Sequence, residues 1–96
     1  MGQAMTLLEI VQNLENLDEE GTIYAKQPWT AGSSAVVARE PDGGGLPTEA
    51  ERQNLDYFLE VSIAREFLED WTNNRPSSPT SQEKCERIIR YAIDDA

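Results

Sequence analysis

Chemistry at a protein site needs groups that move protons, attack electrophiles or hold metals. This 96-residue chain offers eighteen Asp and Glu, eight Lys and Arg, one cysteine and no histidine. Without histidine, a Ser-His-Asp triad, a Cys-His pair and a His-rich metal site are excluded. A single cysteine likewise excludes zinc sites built on two or four cysteines, and any disulfide within the chain. Carboxylates remain, but paired carboxylates do acid and base work only in a cleft that drives their acidities apart, and so short a chain has little material for such walls. Asp18, Glu19 and Glu20 lack the alternating acidic loop, with its glycine and distant Glu, that preorganises calcium ligands. Gly43-Gly44-Gly45 is followed by no Gly-Lys-Ser/Thr and opens no dinucleotide fingerprint, so it reads as a flexible turn. Cys85, next to Ile88 and Ile89 and without a base to activate it, reads as an inert buried thiol. The expectation is no catalytic residue, no metal, no cofactor and no enzyme activity.

Carboxylates without a cleft can still bind through their charge. Residues 1 to 20 carry Glu9, Glu15, Asp18, Glu19 and Glu20 and no base, the first cation being Lys26, so half of the net charge of −10 sits there. These five residues are candidates for an anionic face that steers a basic protein partner. The same five would equally make a solvated helix face that keeps the chain in solution. Trp29, in a loop after Pro28, is a sixth candidate, because a large aromatic anchors an interface when exposed and covers a small core when it is not. A surface this anionic repels phosphate and argues against nucleic-acid partners. Lys84, Arg87 and Arg90 make the last helix the only locally basic element, balanced by Glu83 and Glu86 at spacings that favour ion pairs along the helix.

No signal-peptide core or membrane-length apolar run is present, which argues against a membrane and, with the lone cysteine, fits a cytoplasmic location. Met1 to Thr6 formally matches a myristoylation pattern, but no basic cluster follows to supply the second anchoring signal, so no lipid anchor is expected.

The elements that must position these residues follow from hydrophobic periodicity. Leu, Ile, Val and Phe make up only twenty of the 96 residues, close to the level of about 20% below which charged chains tend to be disordered. Their arrangement in faces nevertheless predicts one folded domain over residues 1–96, with residues 1–5 as a flexible N-terminus. Thr6 and Glu9 have capping-box spacing ahead of Leu7, Ile10, Val11, Leu14 and Leu17, predicting a helix over 6–17. Thr22 to Lys26 and Ala35 to Glu40 read as an antiparallel pair of strands. Asp42 to Pro47 reads as a loop, and Thr48 with Glu51 has the spacing to cap a short helical turn.

Leu55 to Val61 fits a strand better than a helix, since Leu55, Tyr57, Leu59 and Val61 alternate and only Phe58 is out of pattern. Ser62 then caps a helix with the face Ile63, Ala64, Phe67, Leu68 and Trp71. Thr80 and Glu83 form a second capping box before a helix that buries Cys85, Ile88, Ile89, Ala92 and Ile93. The expected fold is α+β: a small, mainly antiparallel three-stranded sheet packed against about three helices in the order α-β-β-β-α-α. One sheet face or an edge is left available.

Ile23-Tyr24-Ala25-Lys26-Gln27-Pro28-Trp29-Thr30, Tyr57 to Val61, Glu66 to Trp71 and Glu83 to Arg87 resemble stretches of a group of small uncharacterised bacterial proteins, over nearly the whole chain. The resemblance implies a stand-alone bacterial domain and carries over no functional residues. Size, acidity and missing catalytic chemistry together suggest an acidic protein-binding module, such as an antitoxin, immunity protein or inhibitor of a basic partner. The alternative is a structural domain that self-associates, for example as a homodimer through a sheet edge or the Trp29 loop.

Overall fold

The computed structural model of the chain describes residues 5–95. Thr6 begins the first helix as expected: its Oγ1 accepts from the Glu9 N–H at 3.1 Å, and its own N–H donates to Glu9 Oε1 at 2.9 Å. Helix α1 (Leu7–Gln12) is shorter than periodicity predicts. Asn13 ends it by donating its side-chain amide to the Glu9 carbonyl at 2.8 Å, and a 3-10 turn (Leu14–Asn16) carries the apolar spacing on, with Leu14 buried. The chain immediately before α1 forms a strand that the sequence reading missed, β1 (Met5–Thr6). Two residues are too few for alternation to show. Met5 is therefore paired with Ala35 rather than part of a flexible terminus, while residues 1–4 and most of the myristoylation pattern lie outside the described residues.

Strands β2 (Thr22–Ala25), β3 (Ser34–Ala38) and β4 (Asp56–Glu60) complete a four-stranded, fully antiparallel sheet in the order β1-β3-β2-β4. The α+β class holds, with four strands in place of three and four helices in place of about three. The stretch from Leu55 is a strand, and Phe58 is out of pattern because β4 carries a bulge. Leu59 pairs with Ile23 and Tyr57 with Tyr24, so Phe58 is the extra residue between them. A bulge shifts alternation by one residue, and Phe58 and Leu59 are consequently both buried in the main core.

Helix α2 (Thr48–Arg52) starts after Pro47 without a side-chain cap, so Thr48 does not do the capping expected of it. Ala50 of α2 and Leu55 close a second, small apolar cluster with Tyr24 and Val36 on the face of the sheet away from the main core. That face is thus partly covered rather than free. Asn54, at φ 58°, makes the left-handed turn from α2 into β4, a conformation asparagine tolerates better than most residues.

Helix α3 (Val61–Asn73) follows β4 without a break, so Glu60 occupies the cap position and Ser62 lies inside the helix. Its buried stripe is Val61, Ala64 and Leu68, with Phe67 and Trp71 packed beside it and Ile63 37% exposed, rotating the face away from the predicted centre. Helix α4 (Ser81–Asp95) has the predicted capping box, with the Thr80 N–H donating to Glu83 Oε1 at 2.8 Å and the Glu83 N–H to Thr80 Oγ1 at 3.1 Å. It buries Cys85, Ile88, Ile89 and Ala92, whereas Ile93, assigned to the same face from sequence, is 57% exposed. Phe67 stacks on Tyr91 with ring centroids 4.2 Å apart, and the Arg87 guanidinium lies 4.9 Å from the Phe67 ring centre, joining α3 to α4. No helix among the described residues is long and apolar enough to cross a membrane.

Candidate functional site

The acidic candidates are set by the tight turn that follows the 3-10 segment. Gly21 donates its N–H to the Asp18 carbonyl at 2.9 Å, and the Glu20 N–H donates to Asp18 Oδ1 at 3.0 Å, which fixes three successive carboxylates at one corner. Gly21 allows the close approach: a Cβ there would lie 2.8 Å from Val37 Cγ1 and 3.1 Å from the Asp18 carbonyl oxygen. Its carbonyl accepts from the Val61 N–H at 3.0 Å, tying the corner to the start of α3.

Two arginines answer this corner. Arg39 Nε donates to Asp18 Oδ2 at 2.9 Å and Arg39 Nη1 lies 3.7 Å from Glu20 Oε1. The Arg39 guanidinium, followed by the Glu20 N–H, holds the Asp18 carboxyl below the ordinary carboxylate range. Arg65, on α3, serves chiefly the backbone. Its Nε donates to the Leu14 carbonyl at 3.0 Å, and its Nη2 to the carbonyls of Glu15 at 3.0 Å and Leu17 at 2.7 Å. These oxygens end the α1 and 3-10 segment, where unpaired carbonyls favour a cation. Arg65 Nη1 lies 3.6 Å from Glu19 Oε1, at the edge of ion-pair range.

Around Arg65 lies an open groove of about 490 Å³ between the first helical segment and α3. Val11, Leu14 and Leu68 provide its apolar floor. Glu15, Glu19, Glu66 and Glu69 stand on its walls, with Arg65 and Lys84 as its only cations. Among the described residues, Glu15, Glu66 and Glu69 form no ion pair.

The six candidates are therefore not one surface. Glu15 and Glu19 line the groove, Asp18 and Glu20 face Arg39, and Glu9 is engaged in the capping box of α1. Trp29 is half-buried. Its Nε1 donates to the Ala25 carbonyl at 3.1 Å and its ring meets Phe58 edge-on at 4.9 Å, so it packs against the main core. The β2–β3 connection that holds it is anchored to α1 by hydrogen bonds from Leu7 N–H to the Ser33 carbonyl and Leu8 N–H to the Ala31 carbonyl, both 3.0 Å. Sequence reasoning missed Glu66, Glu69, Arg65 and Lys84. The signal available was Arg65 standing alone among Glu66, Glu69 and Asp70 on a helix whose polar side had to face something.

Other chemistry is sparse. Cys85 is fully buried, and burial pushes its thiol up to about 11, which keeps it protonated and unreactive at neutral pH. Among the described residues no group of three or more His, Cys, Asp or Glu is placed to hold a metal ion. No protein-family model, curated protein or solved structure matches the chain.

Proposed function

We propose that this protein is a non-enzymatic, acidic protein-binding module that takes a basic side chain of a partner into the groove between its first helical segment and α3. The observation that carries the reading is the groove's make-up: an apolar floor of Val11, Leu14 and Leu68 under four carboxylates, with the Arg65 guanidinium donating to backbone oxygens and reaching Glu19 alone of the four, at 3.6 Å. A lysine or arginine of a partner has the matching construction, an aliphatic stem for the floor and a charged head for the walls. The net charge of −10 adds a long-range field that speeds encounter with a basic protein.

The proposal places the chain with antitoxins, immunity proteins and inhibitors that cover a basic surface, working in a bacterial cytoplasm. The lack of histidine and the buried, protonated Cys85 thiol support the non-enzymatic part.

Affinity capture from bacterial lysate at low and moderate salt, using wild type and the groove variant Glu15→Gln/Glu66→Gln/Glu69→Gln, tests the reading. None of these three side chains takes part in an ion pair among the described residues, so the variant keeps the fold's own contacts. The expected result is a basic protein retained by wild type at low salt and lost with the variant. Equal retention by both proteins at both salt concentrations would overturn it.

A further inference from the structure

Strand β4 forms one edge of the sheet, and among the described residues it pairs only with β2. Unpaired edges invite other strands, and acids and bulges are common protection against them. Asp56, Glu60 and the Phe58 bulge fit that description, but Tyr57 does not. It is 49% exposed, a large aromatic in the middle of an edge that protection alone would fill with a charge. The register puts Tyr57 opposite Tyr24 and Glu60 opposite Thr22, so Tyr57 and Glu60 lie on the same face, away from the main core. Burial, then the nearby Glu60 and Glu40 carboxylates, push the Tyr57 phenol above its ordinary value. Neither Glu40, Asp56 nor Glu60 forms an ion pair among the described residues.

A second copy of the chain is a poor occupant. Two β4 edges would bring Asp56 and Glu60 of each copy to one seam with no cation on either strand, and charge of one sign on both edges disfavours their pairing. A strand carrying lysine or arginine reverses that repulsion and can lay a cation over the Tyr57 ring between Glu40 and Glu60.

We infer that the β4 edge is a second docking surface, which accepts a short extended basic segment of a partner as a fifth strand, with one lysine or arginine seated on Tyr57. The inference shares with the proposed function the basic character of the partner but not the groove.

The test is a titration of the full chain, followed by amide NMR, with a blocked octapeptide of alternating lysine and threonine. The same peptide N-methylated at alternate residues keeps its charge and loses its ladder donors. The inference expects shifts at Tyr57 to Glu60, slowed exchange of amides on that edge, and weaker binding of the N-methylated peptide. Tyr57→Lys, at an exposed position, is expected to weaken binding about tenfold, while Glu66→Gln/Glu69→Gln leaves it unchanged. Equal binding of both peptides, shifts confined to groove residues such as Glu66 and Glu69, or no shift at β4 at low salt would each overturn the inference. Shifts confined to the groove would do so while supporting the proposed function.

Discussion

Replacing Arg65 by methionine removes the one α3 side chain that, among the described residues, hydrogen-bonds the end of the first helical segment, and it leaves an aliphatic stem to cover the groove floor. Three donor contacts are lost, to the carbonyls of Leu14, Glu15 and Leu17 at 3.0, 3.0 and 2.7 Å. A hydrogen bond from a charged donor contributes about 1.5 kcal/mol at the low end of its range, so three would sum to about 4.5 kcal/mol. The Arg65 side chain is 28% exposed, and water can take over part of this, above all at the Glu15 carbonyl, which lowers the expected loss to about 2–3 kcal/mol. For a chain of this size that corresponds to a fall in Tm of roughly 10–20 °C. Urea unfolding followed by tryptophan fluorescence reads the loss as a lower midpoint at unchanged slope. Arg65→Lys, one point charge in place of a planar fork, is expected to recover only part of it. A loss below about 0.5 kcal/mol, the range of an ordinary surface substitution, would refute the clamp.

Gly21→Ala forces a Cβ against Val37 Cγ1 and the Asp18 carbonyl oxygen, and is expected to destabilise by about 1–3 kcal/mol, read from the urea midpoint. Arg39→Gln removes the main reason the Asp18 carboxyl is depressed, so its NMR titration midpoint is expected to rise toward the ordinary carboxylate value. A depressed carboxyl adds stability above its unfolded pKa and loses it as pH falls through the folded value. The variant is therefore expected to lose stability less steeply than wild type below about pH 3.9. Cys85 is expected to react with a thiol reagent at pH 8 only as fast as the chain opens, so native protein is labelled far more slowly than urea-unfolded protein.

Both capping boxes, the β2–β3 pair, the strand character of β4 and the α+β class are legible in the sequence, because each rests on a local pattern of spacing. The bulge was visible only as a defect, Phe58 standing out of alternation, since which strand lies opposite is a property of the partner β2. The two-residue β1 left no periodic signal at all, and Ile63 and Ile93 were assigned to buried faces because a helical wheel does not say where the neighbouring elements stop.

At the site, the concentration of charge in the first twenty residues was plain, and its division was not. Arg65 reaches backbone oxygens about fifty positions earlier in the chain, and carbonyls carry no residue identity for a motif to match. Glu66 and Glu69 join Glu15 and Glu19 only because α3 lies beside the 3-10 turn. Trp29 fits either an anchor or a lid on the core from sequence alone, and its indole N–H donating to the Ala25 carbonyl with its ring against Phe58 makes it the lid.

Entry of a long basic side chain into the groove is read by titrating the protein with N-acetyl-arginine amide and following the backbone amides by NMR, with N-acetyl-norleucine amide as the uncharged control. Saturable shifts are expected at Glu15, Glu66 and Glu69 with the arginine compound, weakened by salt and lost in Glu15→Gln/Glu66→Gln/Glu69→Gln. Shifts that scatter over the surface, or that the triple variant leaves intact, would contradict it.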